Sequence, residues 1–407
     1  MPNDATPTPG AGNLSQNSPS PPSLPVTPSH LDEELGDPEA RSAGTALCLS
    51  GGGYRAMVFH LGTLIRVNEL GMLRGLSRVS SVSGGSITAG VLGLGWKDLR
   101  FDAADRATNL DEIVIRPVWD MAGHTIDKPS VIRGVLTPRR TVSDAVAASY
   151  RKHLFGRATL ASLPSDVDGP RFVINATSVQ TGRLFRFSRP FQGDYSLGLW
   201  RNPTTRLADA VACSSAFPPV LSPHRLRPSG TFDPSTAGTI DDPDILGAHW
   251  LTDGGVYDNL GLETAWKACE RLFVSDGGGG FSIDPTPHRN WIQHGVRAAS
   301  IINDQVRSLR KRQLVESFEH GVRSGVYFGI RSDTESFAPT RPMAFAPEGS
   351  TLPKNVPTAL SALSDATRRD LVNSGYVLSD LAFRRWVTPD AEIPTELPFP
   401  QRSGATP

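Results

Sequence analysis

Ala46-Leu-Cys-Leu-Ser-Gly-Gly-Gly-Tyr-Arg55 is a short apolar run that delivers three glycines to a following helical stretch. Roughly 30 residues later, an offset about the size of one strand–helix–strand unit, stands Ser81-Val-Ser-Gly-Gly85. It reads as a second strand that ends in a serine on a sharp turn into another helix. Glycines let the backbone approach a ligand closely, and a helix N-terminus presents free N–H groups with a partial positive charge. An array of amides beside an exposed serine supplies two parts that acyl-transfer chemistry requires.

Outward from these stretches, strand and helix patterns alternate. Residues 45–50 read as a strand and 54–70 as a helix with Met57, Val58, Leu61, Leu64, Ile65 and Leu70 on one side, stopped by Gly71. Residues 76–82 and 84–96 repeat the pair. Further strands are expected at 171–178, at 183–188, entering Thr252-Asp-Gly-Gly255, at 271–275 and near 326–330. Helices are expected near 206–213, at 259–270, over about 289–320, and twice more toward the C-terminus. This alternation predicts an α/β fold with a mostly parallel central sheet and helices on both faces.

Residues 1–44 are rich in Pro, Ser, Thr and Asn, cannot bury enough apolar surface to offset their ordering entropy, and are expected to be a disordered tail. The stretch 388–407 has the same character and is expected to be a flexible tail, leaving 45–387 as the folded domain. Within it, 101–160 reads as an insertion carrying Ile113, Ile115, Val118, Met121, Val131 and Ile132. Those side chains suit either a lid or acyl pocket over the site, or ordinary packing.

The tract Ser80-Ser-Val-Ser-Gly-Gly-Ser86 offers four candidate nucleophiles. A nucleophile elbow needs small residues two before and two after the serine, because strand and helix meet closely at the turn. Ser83, between Ser81 and Gly85, meets that need at the strand–helix junction. Ser81 has the larger Val79 before it, Ser86 already lies inside the helix, and Ser80 is internal to the strand. A Gly/Ser turn without chemistry has the same local look. Gly51, Gly52 and Gly53 are the candidate oxyanion hole. Arg55, two residues on, either reinforces their potential or serves a structural ion pair. Gly51-x-Gly53-x-x-Ala56 also fits the dinucleotide fingerprint, but the next strand ends in Ser81-Val-Ser83 and lacks the acidic residue that would hold a ribose. The Gly-Lys-Ser/Thr of a phosphate loop is absent too.

A serine hydroxyl needs a proton acceptor. None of the nine histidines stands in a recognisable triad context. Asp253 is better placed, because it ends an apolar run and precedes Gly254-Gly255, which leave room around its side chain. Asp276-Gly-Gly278 has a similar look but opens a longer glycine loop, and is read as a loop residue.

Lys+Arg and Asp+Glu both number 41, so bulk charge gives no reason to expect nucleic acid as partner. Cys48, Cys213 and Cys269 lack metal-type spacing and read as buried free thiols. No uninterrupted apolar window approaches the length of a membrane span, and no basic-plus-apolar leader is seen. The expected location is therefore cytoplasmic or peripheral to a membrane.

Gly51-Gly-Gly-Tyr-Arg55, Ser81-Val-Ser-Gly-Gly85 and Asp253-Gly-Gly-Val-Tyr-Asp-Asn259 together resemble the patatin-like phospholipases, relatives of cytosolic phospholipase A2. Asn175-Ala-Thr177 with Thr181-Gly182, and Ala212-Cys-Ser-Ser-Ala216 before Phe217-Pro-Pro219, add to the likeness, which covers roughly residues 45 to 386. The resemblance implies a three-layer α/β/α sandwich. It also implies a Ser–Asp dyad of Ser83 (nucleophile) and Asp253 (base) with no histidine, an oxyanion hole at Gly51–Gly53, and no metal or cofactor. Ser81 departs from the family's first elbow glycine, and Ala56 from a glycine often following the arginine. The expected substrate is a phospholipid or other lipid acyl ester, met at a transient membrane-surface contact; no oligomeric state is implied. The basic stretch Arg307-Ser-Leu-Arg-Lys-Arg312 suits either anionic headgroups or a solvated helix face. An esterase or thioesterase acting on small acyl compounds, and a silent lipid-binding scaffold, are the alternatives.

Overall fold

Along the strand Ser42–Leu49 (β1), successive side chains enter two different cores. Leu47 and Leu49 join one apolar cluster, and Ala46 and Cys48 join another. Period-two alternation with both faces apolar means a sheet covered on both sides. The protein, a computed structural model, is described over residues 42–126, 141–219, 221–279, 283–286, 290–337 and 356–400. The remaining strands are β2 (Arg78–Val82), β3 (Arg171–Ser178), β4 (Leu184–Phe187), β5 (Phe191–Asp194), β6 (Gly198–Arg201), β7 (His224–Leu226), β8 (Thr231–Asp233), β9 (His249–Asp253), β10 (Cys269–Asp276) and β11 (Ser324–Gly329).

Among the described residues these form one 11-stranded sheet in the order β11-β10-β1-β2-β3-β4-β5-β6-β8, with β9 paired to β3 and β7. From β11 through β3 the pairing is parallel; from β3 outward, and at β9, it is antiparallel. The sheet is thus mixed, its parallel half being the part the alternating pattern foretold. β5 and β6 are four-residue strands containing Gly193 and Gly198, too short to show a period in the sequence.

Helices α1 (Gly53–Glu69), α2 (Gly84–Gly95) and α3 (Leu207–Ser214) contribute to the larger core; α4 (Leu262–Ala268) and Leu314 of α5 (Trp291–Glu319) build the smaller one on the opposite face. A long C-terminal helix, α6 (Asp365–Trp386), packs across α1 where the two sequence-predicted C-terminal helices were expected. The crossing is backbone on backbone: a Cβ placed on Gly62 would collide with the Val372 carbonyl, and one on Gly375 with that of Phe59. Beside it, buried Asp380 pairs with Arg66 at 2.9 Å and Arg384 at 2.6 Å.

One expectation needs correction and one alternative is decided. Residues 388–400 are docked: Leu397 is buried, Phe399 stacks on Trp119 with centroids 4.7 Å apart, and its backbone exchanges two hydrogen bonds with the Asn373 side chain. Their composition hid a few well-placed apolar anchors. In 101–160, Ile115, Val118 and Met121 lie within the main core and Ile113 packs against it, so of the two alternatives left open for these side chains they take ordinary packing. Val131 and Ile132, residues 1–41 and residues 401–407 lie outside the described residues. The cysteines Cys48, Cys213 and Cys269 are buried and free.

Candidate active site

Strand register brings the candidate residues together. Leu49 of β1 pairs with Ser81 of β2, so Gly51 and Ser83, each two residues further on, leave the sheet side by side. A Cβ placed on Gly51 would lie 3.1 Å from that of Ser83. β2 and β9 both lie on one edge of β3 and run toward each other. Val82 pairs with Asn175 and Asp253 with Ala176, adjacent rungs of the same strand. Two strand ends meeting head-on therefore present Ser83 and Asp253 to each other, although they are far apart in the chain.

Ser83 has φ +52° and ψ −120°, a backbone conformation that L side chains rarely adopt, and it caps the N-terminus of α2. Such strain persists only where the surroundings over-determine it. Gly84, next in the chain, packs directly on the Gly53 peptide, and a Cβ there would collide with the Gly53 carbonyl. Ser81, at the position of the missing elbow glycine, fits because its hydroxyl accepts from Ser86 Oγ at 3.0 Å and donates to Val173 O at 3.4 Å.

Asp253 is 1% exposed. Its Oδ1 accepts from the Gly255 amide at 2.7 Å, while Oδ2 is buried with no hydrogen-bond partner. Burial pushes the carboxyl up to about 7. The Ser83 hydroxyl and the Gly255 amide pull against burial, and do so incompletely. Among the described residues no regular hydrogen bond joins the two side chains, and it is the register of β2 and β9 on β3 that sets them near each other. Among the described residues no histidine hydrogen-bonds either side chain.

The glycine loop needs one revision. The Gly51 amide donates to Asn259 O at 3.0 Å, so it is already committed. Among the described residues the amides of Gly52 and Gly53 have no partner, and Gly53 opens α1, whose dipole adds positive potential there. The candidate oxyanion donors are thereby reduced from three glycines to two. Arg55 forms no ion pair among the described residues. It is 4% exposed and donates to Gly277 O (3.0 Å), Val356 O (2.6 Å) and Thr358 Oγ1 (2.8 Å), and burial lowers its pKa to about 10. It clamps two neighbouring segments to the glycine loop.

Asp276 is not a loop residue. It ends β10, is fully buried, and its Oδ2 accepts from Arg307 Nη2 (2.6 Å) and Tyr327 OH (2.8 Å). Arg310 reaches Glu263 at 2.8 Å, and Lys311 lies over the Tyr327 ring. Three members of the basic stretch 307–312 therefore face the protein. Residues that sequence reading quoted without a role also belong to the site: Thr177 Oγ1 holds the Asp253 carbonyl at 2.9 Å, and Asn259 holds Gly51. Their signal was membership of the same motifs. Among the described residues no cluster of three or more His, Cys, Asp or Glu could hold a metal ion.

An elbow serine, a buried carboxylate and a glycine loop on a mixed α/β sheet define a class of hydrolase-like sites. The family model described as patatin-like phospholipase matches residues 47–266, more than half of the chain, and the chain belongs to that family. Among solved structures it is similar to human GIVD cytosolic phospholipase A2, at 13% identity and a TM-score of 0.45, covering 83% of this chain and 58% of that one. The same human protein in complex with methyl gamma-linolenyl fluorophosphonate aligns at 20% identity and a TM-score of 0.32, over 44% of this chain and 30% of that one. VipD from Legionella pneumophila aligns at 16% identity and a TM-score of 0.37, over 85% and 68%. The chain thus spans less than two thirds of the human protein it matches. No curated protein matches the sequence.

Proposed function

We propose that this chain is a lipid acyl hydrolase that cleaves carboxylic esters of phospholipids or other lipids through a Ser83–Asp253 dyad. The observation that carries the reading is the head-on meeting of β2 and β9 on β3, which sets a strained serine against a buried carboxyl with an unpartnered oxygen. Asp253 accepts the Ser83 proton as Oγ attacks the ester carbonyl. The Gly52 and Gly53 amides receive the oxyanion, each donor typically worth about 3 kcal/mol. Collapse breaks the ester C–O bond, Asp253 returns the proton to the departing alcohol, and an acyl-serine remains. Water then attacks that acyl group, giving its proton to Asp253, and the free acid leaves as Ser83 recovers its proton. A base poised near neutrality suits this exchange.

Contact with aggregated lipid fits the outer face of α5. Trp291, Ile302 and Leu309 are 82%, 65% and 57% exposed. At about 100° per residue they lie within about 20° of one another around the helix. No helix among the described residues is long and apolar enough to cross a membrane.

The test is labelling by a fluorophosphonate probe. Labelling that disappears in Ser83→Ala and falls sharply in Asp253→Asn supports the dyad; labelling that survives Ser83→Ala overturns it. Release of fatty acid from phospholipid vesicles then separates a lipid hydrolase from an esterase active only on soluble esters.

A further inference from the structure

Where β2 and β9 both stop, the edge of β3 carries a gap between two rungs, and a single hydroxyl fills it. Ser214, the last residue of α3, is fully buried. Its Oγ donates to the Asn175 carbonyl of β3 at 2.6 Å and accepts from the Ser83 amide at 2.9 Å. Ser86 Oγ lies 2.9 Å from the same atom. In a continuing parallel ladder a backbone donor would reach β3 directly. Here the chain turns away at Ser83 with φ +52°, and the hydroxyl spans the interval. The backbone of the same segment holds the other half of the site: Ser214 O accepts from the Gly254 amide at 3.2 Å, and two residues on Ala216 O accepts from the Asp253 amide at 3.0 Å.

We propose that Ser214 is the positioning residue of the dyad, fixing Ser83 in its strained conformation through its hydroxyl and the Asp253 turn through its carbonyl. This rests on the Ser83–Asp253 reading above. The residue touches no reacting atom, so its effect passes through the placement of Ser83. Removing the hydroxyl leaves the Ser83 N–H and the Asn175 carbonyl buried without a partner, and frees the elbow to relax toward an ordinary backbone conformation. Carbonyl contacts to Gly254 survive any side-chain change, so the two halves of the splint are separable by mutation.

The experiment measures fluorophosphonate labelling of the full chain as a function of probe concentration, giving a saturating rate and a half-saturating concentration. In Ser214→Ala the saturating rate is expected to fall about 100-fold, the scale of a small misplacement of reacting groups, with the half-saturating concentration within about twofold of the intact chain. Ser214→Thr, which restores a hydroxyl, is expected to recover at least a tenth of the rate. A folded Ser214→Ala that labels at the intact rate overturns the proposal, even if its melting temperature has dropped, because a merely structural serine changes stability and leaves the rate of folded molecules alone. If Ser214→Ala does not fold, Ser214→Cys keeps the volume and weakens the hydrogen bonds; labelling at the intact rate there overturns the proposal equally. Intact chain that labels while Ser83→Ala does not keeps the dyad reading whatever Ser214 does. Labelling that survives Ser83→Ala sinks that reading and this proposal with it.

Discussion

Asp253 and Asp276 carry the same sequence signature, Asp-Gly-Gly at the end of a strand, and are both almost completely buried, yet their chemistry is opposite. Around Asp276 burial is the largest single influence and acts upward. Arg307, with Tyr327 and the Gly278 amide, outweighs it and holds the carboxyl below its ordinary range. Around Asp253 burial is opposed only by a hydroxyl and one amide, and the carboxyl rises to about 7. One arginine from α5 separates a carboxylate held ionised from the carboxyl proposed as the base. Motif and burial alone do not make an acid–base residue; what matters is which charges the fold withholds from it.

The largest effect expected from breaking this contrast is on chemistry. Asp253→Asn should lower ester hydrolysis by about 10³-fold, the typical weight of a general base, without lowering the melting temperature, because a poorly compensated buried carboxylate is removed. Asp276→Asn should do the reverse. It strands Arg307 and should cost about 3 kcal/mol of stability while folded molecules keep most of their hydrolytic rate. Parallel thermal melts and rates on a soluble ester check both.

Next in size is the dependence on pH. Hydrolysis should rise about tenfold per pH unit below about 7 and level off above it, as Asp253 loses its proton; a flat profile from pH 5 to 8 would remove Asp253 as the base. Stability should respond with the opposite sign. The folded carboxyl lies above the ordinary unfolded value of about 3.9, so between those limits the folded chain holds a proton that the unfolded chain has lost. The stability this supplies is fully present below about pH 4 and is lost as pH rises through about 7. Asp276, held low, contributes stability at neutral pH that is lost as pH falls through its depressed value. Asp253→Asn should therefore flatten the fall in melting temperature between pH 5 and 7 expected of the intact chain.

A smaller effect sharpens the contrast at its source. Arg307→Met removes the cation from Asp276 and should move that carboxyl upward, toward the behaviour of Asp253. Carbon-detected NMR titration of the aspartates reads it, and an unmoved Asp276 would mean that Tyr327 and the Gly278 amide suffice. The smallest effect concerns the outer face of the same helix. Trp291→Ser with Ile302→Ser should reduce hydrolysis of vesicle lipid about fivefold, by the loss of about 1 kcal/mol of apolar contact, and leave a soluble ester unaffected. Equal loss on both substrates would place the effect elsewhere than lipid contact.

The parallel half of the sheet was legible because β1 and β10 contain apolar runs, and β1, β2 and β10 each lead through glycines to a segment with helical periodicity. The meeting of Ser83 with Asp253 was legible only as two motifs; no local pattern states that β9 inserts antiparallel beside β3, because that register is decided by tertiary contact. Asp276 looked like a loop residue since its partner Arg307 comes 31 positions later on a helix whose basic residues look solvent-facing in a linear reading. Ser214 was visible as part of Ala212-Cys-Ser-Ser-Ala216, but a serine in a polar small-residue run carries no mark of the hydrogen bonds it will make. Gly51 was read as an oxyanion donor because glycine allows that role, whereas its amide partner, Asn259, is fixed by folding.

The head-on junction on β3 also orders events in time. Ser83 and Asp253 are separated by 170 residues (253 minus 83) and become neighbours only after β9 has docked. Long-range pairing of this kind is slow because a large loop must close first. During vectorial synthesis the elbow leaves the ribosome well before the base does. On the proposed dyad, the serine has no proton acceptor until the last antiparallel strand lands beside Ala176, and the nascent chain would pass through its folding without a competent nucleophile.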